Sequence, residues 1–198
     1  YSNSGYALLA TIIEKISGIN FHDFVERNIF KTLKMNTSTV FPFAGEYITN
    51  RAYGHIQKNN TYIIKDQNKW SSIWGDGGIY SSINDLESWF NNLFNFNLLG
   101  SDQIKMFQKH QLNNGIKIPY GMGFRISKFK NEKIYYHSGS SIGFKNILII
   151  FPRKKLGVAL LTNLYSINVS KLAFKVSDLV LNYIRLKKKG QSKTWPFF

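Results

Sequence analysis

The chain has 198 residues, 43% of them hydrophobic and 16% aromatic, enough to build one domain around a sizeable core. It has no cysteine, which excludes a disulfide framework, a thiolate metal site and a cysteine nucleophile. The formal net charge of +15 raises nucleic acid or an anionic surface as a partner. Against that, the lysines are scattered, the one dense run is Lys187-Lys188-Lys189, and arginine, the preferred reader of bases and phosphates, occurs five times. No nucleic-acid partner is therefore expected, and a solvated lysine-rich surface accounts for the charge. No window is apolar for long enough to span a membrane, and the first residues are not those of a signal peptide. The histidines at 22, 55, 110 and 137 lack paired ligand spacing, so neither a metal nor a cofactor is expected.

Taken in order, residues 4–17 read as a helix with Leu8, Leu9, Ile12, Ile13 and Ile16 in one apolar stripe, stopped by Gly18. Asn20 caps a second helix, with Phe21, Phe24, Val25 and Ile29 on one face, that ends near Leu33–Asn36. Residues 37–70 have weak periodicity. Pro42, Gly45 and Gly54 suggest loop, and Asn59-Asn60 suggests a hairpin. The stretch from Trp70 to Gly78 contains Gly75-Asp76-Gly77-Gly78 but no following Gly-Lys-Ser/Thr, so it is not a phosphate loop. Asp76 reads as a turn residue.

Ser82-Ile83-Asn84-Asp85 resembles a capping box opening a helix whose Leu86, Trp89, Phe90, Leu93 and Phe94 are core. A short helix follows around Ser101–Lys109. Strands are predicted over 121–129, 133–137, 144–151 and 156–161, with short turns that make neighbours antiparallel. A last helix over 168–188 covers the sheet with Leu172, Val176, Leu179, Val180 and Tyr183. The fold class is α+β. The chain reads as a single domain, 1–198, with a mainly helical and loop part, 1–119, and a part, 120–198, made of the antiparallel sheet and C-terminal helix.

Two stretches stand out for chemistry. Tyr1-Ser2-Asn3 opens the first helix. His137-Ser138-Gly139-Ser140 lies just before a long apolar strand, and small residues beside a strand let backbone N–H groups approach a ligand closely. Taken separately, Tyr-x-Asn is a plain helix entry and His137 a structural hydrogen-bonder. Their order in the chain, with Gly77-Gly78-Ile79-Tyr80-Ser81, Gly143-Phe144, Phe151-Pro152 and Leu161-Thr162-Asn163 around them, resembles the penicillin-recognising serine hydrolases. These include class C β-lactamases, D-alanyl-D-alanine carboxypeptidases and related esterases.

The resemblance implies a β-lactamase- or transpeptidase-like fold and hydrolysis of an amide, lactam or ester through an acyl-serine. The substrate would be a small molecule or peptide, such as a β-lactam, a D-Ala-D-Ala peptide or an ester. It assigns Tyr1 to proton transfer beside the nucleophile, Asn3 to the substrate amide, and His137 to the place of the lysine in Lys-Thr-Gly. Ser138 and Gly139 complete that motif, and Ser140 supplies an oxyanion-hole N–H. As a base, Tyr1 needs neighbouring cations to lower a phenol pKa of about 10. It also implies export to the periplasm or cell surface.

The family's Ser-x-x-Lys should precede Tyr-x-Asn. The literal match Ser127-Lys128-Phe129-Lys130 follows it, in a predicted strand and turn. The expectation is therefore a domain incomplete at its N-terminus, lacking first strands and first helix, with an unpaired sheet edge, and inactive alone. The alternatives are a non-catalytic member that kept the fold as a binding domain, and a basic protein that binds nucleic acid or an anionic surface.

Overall fold

A computed structural model describes residues 1–41, 47–68 and 73–189. Pro42, Gly45 and Trp70 lie outside the described residues. Helix α1 (Asn3–Ser17) begins where Ser2, in extended backbone, accepts a bond from the Gly5 N–H at 3.2 Å. It ends at Gly18, whose left-handed backbone turns its N–H onto the Glu14 carbonyl. Its packing departs from the predicted stripe. Leu8, Leu9, Ile12 and Ile16 are 64, 50, 48 and 82% exposed, whereas Ala10 is buried and Ile13 packs beside it against Phe21, Val25 and Phe30. Periodicity identifies an apolar face but not the element that covers it.

Asn20 caps α2 (Phe21–Val25), its side chain accepting from the Asp23 N–H at 2.8 Å. The predicted single helix is widened by a π-helical turn (Glu26–Phe30) before α3 (Lys31–Leu33). The extra residue brings Phe30 inward five places after Val25, where a regular helix would have used Ile29. Strand β1 (Thr39–Val40) then crosses to β4 (Ile79–Tyr80), a pairing of distant segments that no local pattern announces. Between them β2 (His55–Lys58) and β3 (Thr61–Ile64) form the expected hairpin, with Asn59 and Asn60 both at positive φ, as a two-residue turn of this hand requires.

Helix α4 (Ile83–Asn95) is capped by Ser82, which accepts from the Asp85 N–H. The capping box is only half made. Asp85, 5% exposed, turns away from Ser82, and its Oδ2 accepts from the Thr37 N–H at 2.8 Å, the Thr37 hydroxyl at 2.9 Å and the Ser38 hydroxyl at 2.7 Å. The carboxylate thus joins α4 to the chain entering β1. Leu86, Phe90 and Leu93 are buried as predicted, with Trp89 and Phe94 packed beside them. The short helix after it is a 3-10 segment, Gly100–Phe107.

The main sheet has the order β5-β6-β7-β8 and is antiparallel throughout: β5 (Arg125–Phe129), β6 (Glu132–Ser141), β7 (Phe144–Phe151) and β8 (Leu156–Thr162). The first strand starts four residues later than predicted, because the segment from Gly121 to Phe124 is a tight loop. The second runs four residues further, carrying His137 through Ser141 into the strand. Ser127 therefore lies in edge strand β5 opposite Ile134, and Lys130 sits in the following turn, ion-paired with Asp178. This match has no helix start beneath it. Strand β8 has β7 as its one strand neighbour among the described residues.

Helix α5 (Val169–Lys188), capped by Asn168, covers one face. It is seated through Val169, Ala173 and Ser177, small enough to bring the helix close to Ile134, Ile147, Ile149 and Phe151. The predicted contact residues Leu172 and Leu179 are exposed instead. Complete burial of each large side chain in that cluster stabilises the fold by roughly 1.5–3 kcal/mol. The opposite face of the sheet packs Tyr135 and Ile150 against Phe90, Leu93 and Phe124. Replacing Asp85 with alanine leaves three donors without their acceptor, and the expected loss is about 3 kcal/mol in urea denaturation. A loss below about 1 kcal/mol would show that this carboxylate does not join the two parts.

Candidate active site

Tyr1 and His137 are 136 positions apart in sequence and meet in space. Their ring centroids lie 5.2 Å apart, edge to face. Tyr1 precedes the cap of α1, which fixes it at the helix entrance. His137 sits on β6 where the strand leaves β5: the last β5–β6 pair is Arg125 with Tyr136, and His137–Ser141 pair with β7 alone. Among the described residues this half of β6 consequently has an open edge beside Tyr1. Asn3 lies in the first turn of α1, exposed, and its side chain makes no hydrogen bond among the described residues.

Strand alternation separates the remaining predicted residues. Tyr135 and His137 point to the α4 side of the sheet. Ile134, Tyr136, Ser138 and Ser140 point to the α5 side, with Ser138 opposite Ile147. The side chains of Ser138 and Ser140 therefore turn away from Tyr1. The role assigned to Ser140 uses its backbone N–H, which this alternation does not remove. Gly139, exposed, keeps the strand bare on the Tyr1 side between His137 and Ser141.

Three comparisons with known proteins bear on this arrangement. The profile of the family described as Beta-lactamase matches residues 1–173. The chain belongs to the beta-lactamase family. It is 31% identical over 176 residues to penicillin-binding protein 4* of Bacillus subtilis (strain 168), covering 82% of this chain and 39% of that protein. Among solved structures, the octameric penicillin-binding protein homologue from Pyrococcus abyssi superposes with a TM-score of 0.79 at 31% identity, over 92% of this chain and 42% of its own. A class C beta lactamase from Rhodobacter sphaeroides superposes with a TM-score of 0.72 at 16% identity, over 93% of this chain and 60% of its own, a likeness of fold alone. The chain thus spans about two fifths of the length of the curated relatives it matches.

Within this beta-lactamase-family chain the site holds residues that no sequence motif flagged. The Tyr6 hydroxyl, one turn along α1, lies 3.2 Å from the Tyr120 hydroxyl. Both rings lie near Tyr1, at 5.3 and 6.0 Å between centroids. The Gly123 carbonyl lies 2.5 Å from His137 Nδ1. The one available signal was the Tyr120-Gly121-Met122-Gly123 spacing before a strand, which reads as a turn when taken alone. Among the described residues no cluster of three or more histidine or acidic side chains could hold a metal ion, and no helix is long and apolar enough to cross a membrane.

The electrostatics run against an easily ionised Tyr1. Burial raises its pKa, the Asp76 carboxylate and the Tyr6 phenol raise it further, and Arg125 alone opposes them. Asp76 lies in the predicted turn, but its charge reaches the site. Tyr120 is raised far above the usual phenol range, by burial first and then by its bond to Tyr6. With these surroundings Tyr1 is a proton donor at neutral pH, and service as a base requires a further cation near it.

Two cavities adjoin the far end of β6. One, of about 370 Å³, is lined by Lys65, Ser140, Ser141 and Tyr165 among others, and the second, of about 490 Å³, by Ser138, Ser140, Lys145 and Asn168 among others. Neither is lined by Tyr1 or His137. The hairpin β2–β3 walls the first because Gly54 and Gly143 touch backbone to backbone: a Cβ on Gly143 would lie 2.0 Å from the Lys65 carbonyl oxygen. The Gln67 amide bonds to the Ser141 hydroxyl, and the His55 N–H bonds to the Asn163 carbonyl at 2.9 Å. The Arg51–Asp66 ion pair braces the hairpin base. Burial works to raise the Asp66 pKa, but the Arg51 bond and the Gly54 N–H outweigh it, and the carboxyl stays below the usual range.

A phenol with a raised pKa in the folded chain weakens the fold at high pH. Above about pH 10 the unfolded chain releases that proton and the folded chain retains it, so stability falls as pH rises. Tyr120→Phe should flatten the decline of unfolding free energy with pH above about pH 10, measured by urea denaturation in steps from pH 8. Parallel declines in the two proteins would remove Tyr120 as the source.

Proposed function

We propose that this chain is the part of a serine hydrolase that carries the second and third elements of an acyl-transfer site. The reaction is hydrolysis of an amide, lactam or ester through an acyl-serine. The observation that carries this reading is the meeting of Tyr1 with His137, on two elements brought together only by the fold, inside a chain that the Beta-lactamase family matches over residues 1–173. The nucleophile would lie in a Ser-x-x-Lys segment of the whole protein, since Ser127-Lys128-Phe129-Lys130 occupies an edge strand and its turn.

In this scheme the serine oxygen attacks the substrate carbonyl, its proton passes to a base, and the leaving group departs with a proton returned to it. A lysine ammonium next to Tyr1 would supply the cation that Arg125 alone does not, lowering the phenol enough to share in that transfer. Asn3, whose side chain makes no hydrogen bond among the described residues, would bind a substrate amide. The open edge of β6 from His137 to Ser141 can take an extended substrate backbone by strand addition. The N–H of Ser140 would be one donor to the oxyanion.

The test uses the whole protein. After incubation with a fluorescent penicillin and with p-nitrophenyl acetate, a covalent adduct on one serine is expected by mass spectrometry. Tyr1→Phe should slow its formation by about 10²–10⁴-fold. Absence of any adduct with either reagent would remove the catalytic reading and leave a binding domain on the same fold.

A further inference from the structure

A carbonyl oxygen has no proton to give. The 2.5 Å contact between the Gly123 carbonyl and His137 Nδ1 is therefore a bond that Nδ1–H donates. In the neutral ring this places the lone pair on Nε2. That nitrogen has no hydrogen-bond partner among the described residues, and its ring lies against Tyr1.

The loop holding the carbonyl is firmly tied. The Gly121 N–H bonds to the Phe124 carbonyl at 2.7 Å, the Met122 N–H to the Met106 carbonyl at 3.0 Å, and the Ile126 N–H to the Pro119 carbonyl at 2.9 Å. A Cβ on Gly121 would lie 2.0 Å from the Met106 carbonyl oxygen, and Gly123 has φ 84°, so side chains are excluded at both places. Tyr120, in the same loop, reaches Tyr6 on α1. One loop thus fixes the ring on β6 and the helix behind Tyr1.

We propose that Gly123, through its carbonyl, is the positioning residue that locks His137 as the Nδ1–H tautomer and leaves Nε2 as an unpaired acceptor beside Tyr1. A group bound there must donate a hydrogen bond: an amide N–H, a hydroxyl or an ammonium. Where the family's lysine would attract a carboxylate, this site takes a donor. The tautomer belongs to the chain whatever its activity, and only the preference among substrates rests on the hydrolase reading.

The first arm is a long-range ¹⁵N–¹H spectrum of the whole protein with ¹⁵N-labelled histidine at about pH 8, where an unperturbed imidazole is neutral. His137 is assigned by its loss in His137→Gln. The expected pattern has the proton on Nδ1 and a bare Nε2. A proton on Nε2, or an averaged mixture of the two forms, would overturn the proposal. Gly121→Ala, which forces the loop off Met106, should turn the His137 pattern into a mixture while His22 and His55 keep theirs. An unchanged His137 pattern in that folded variant would show that the loop does not set the tautomer.

The second arm uses the whole protein at the same pH with two isosteric aryl esters, one bearing an amide and one a carboxylate beside the scissile bond. The amide ester should show at least about tenfold higher kcat/KM, the discrimination of a single well-placed hydrogen bond. The reverse order would overturn the substrate preference even with the tautomer in place. Turnover of neither ester would remove the hydrolase reading and the preference together, and the spectrum would still decide the tautomer.

Discussion

The structure depends on one strand serving two purposes. Over its first half β6 is a central strand, held between β5 and β7, with Ile134 buried under α5 and Tyr135 buried under α4. Over its second half it loses β5 and keeps β7, so among the described residues the same extended backbone becomes an open edge beside Tyr1. An edge strand inside a domain is normally a liability, since unpaired N–H and C=O groups invite association. Here the exposed stretch is short and adjoins the candidate site, where unpaired backbone groups are what a substrate would use. The rigid half sets the position of the open half, because a change of register would turn every side chain of β6 to the other face.

Close backbone contacts position what surrounds that strand. Gly54 against Gly143 brings the β2–β3 hairpin to the β6–β7 turn, and Gly121 against the Met106 carbonyl holds the loop that reaches His137. Ala173 and Ser177 do the same for α5 on the other face of the sheet. At each of these places a larger side chain would separate two elements, and packed interiors have little room to absorb the change. The small residues near the site are thus explained first by packing, and through packing they set the geometry of the site.

The cluster of Tyr1, Tyr6, Tyr120 and His137 has a particular electrostatic character. Burial raises the pKa values of Tyr1 and Tyr120, the Tyr6 and Tyr120 hydroxyls share one hydrogen bond, and His137 Nδ1 is taken by the Gly123 carbonyl, with Arg125 and Asp76 as the charges that bear on Tyr1. In a serine hydrolase site a permanent cation usually lowers the nearest acid. Among the described residues Arg125 is the cation that lowers Tyr1, and burial, Asp76 and Tyr6 work against it.

Much of this was legible in the sequence. Capping at Asn20 and Ser82 is a matter of one side chain and a neighbouring N–H, and the Asn59-Asn60 turn needs only two residues that tolerate positive φ. The motif order was enough to indicate the family and to single out Tyr1, Asn3 and His137. What the sequence could not decide depended on contacts between distant segments. Leu8, Leu9, Ile12 and Ile16 on α1 and Leu172 and Leu179 on α5 have the right period yet lie exposed, because a period defines a face and not its covering. Asp85 gives its N–H to the Ser82 hydroxyl, but its carboxylate does not close the capping box, because it accepts from Thr37 and Ser38 across the fold. The reach of β6 to Ser141 was set by β7, whose pairing continues after β5 has stopped. Local propensity and spacing therefore determined most of the helices and the antiparallel strands of the main sheet. Tertiary structure alone decided which faces are buried, which hydroxyls turn away, and that a backbone carbonyl at Gly123 meets the ring of His137.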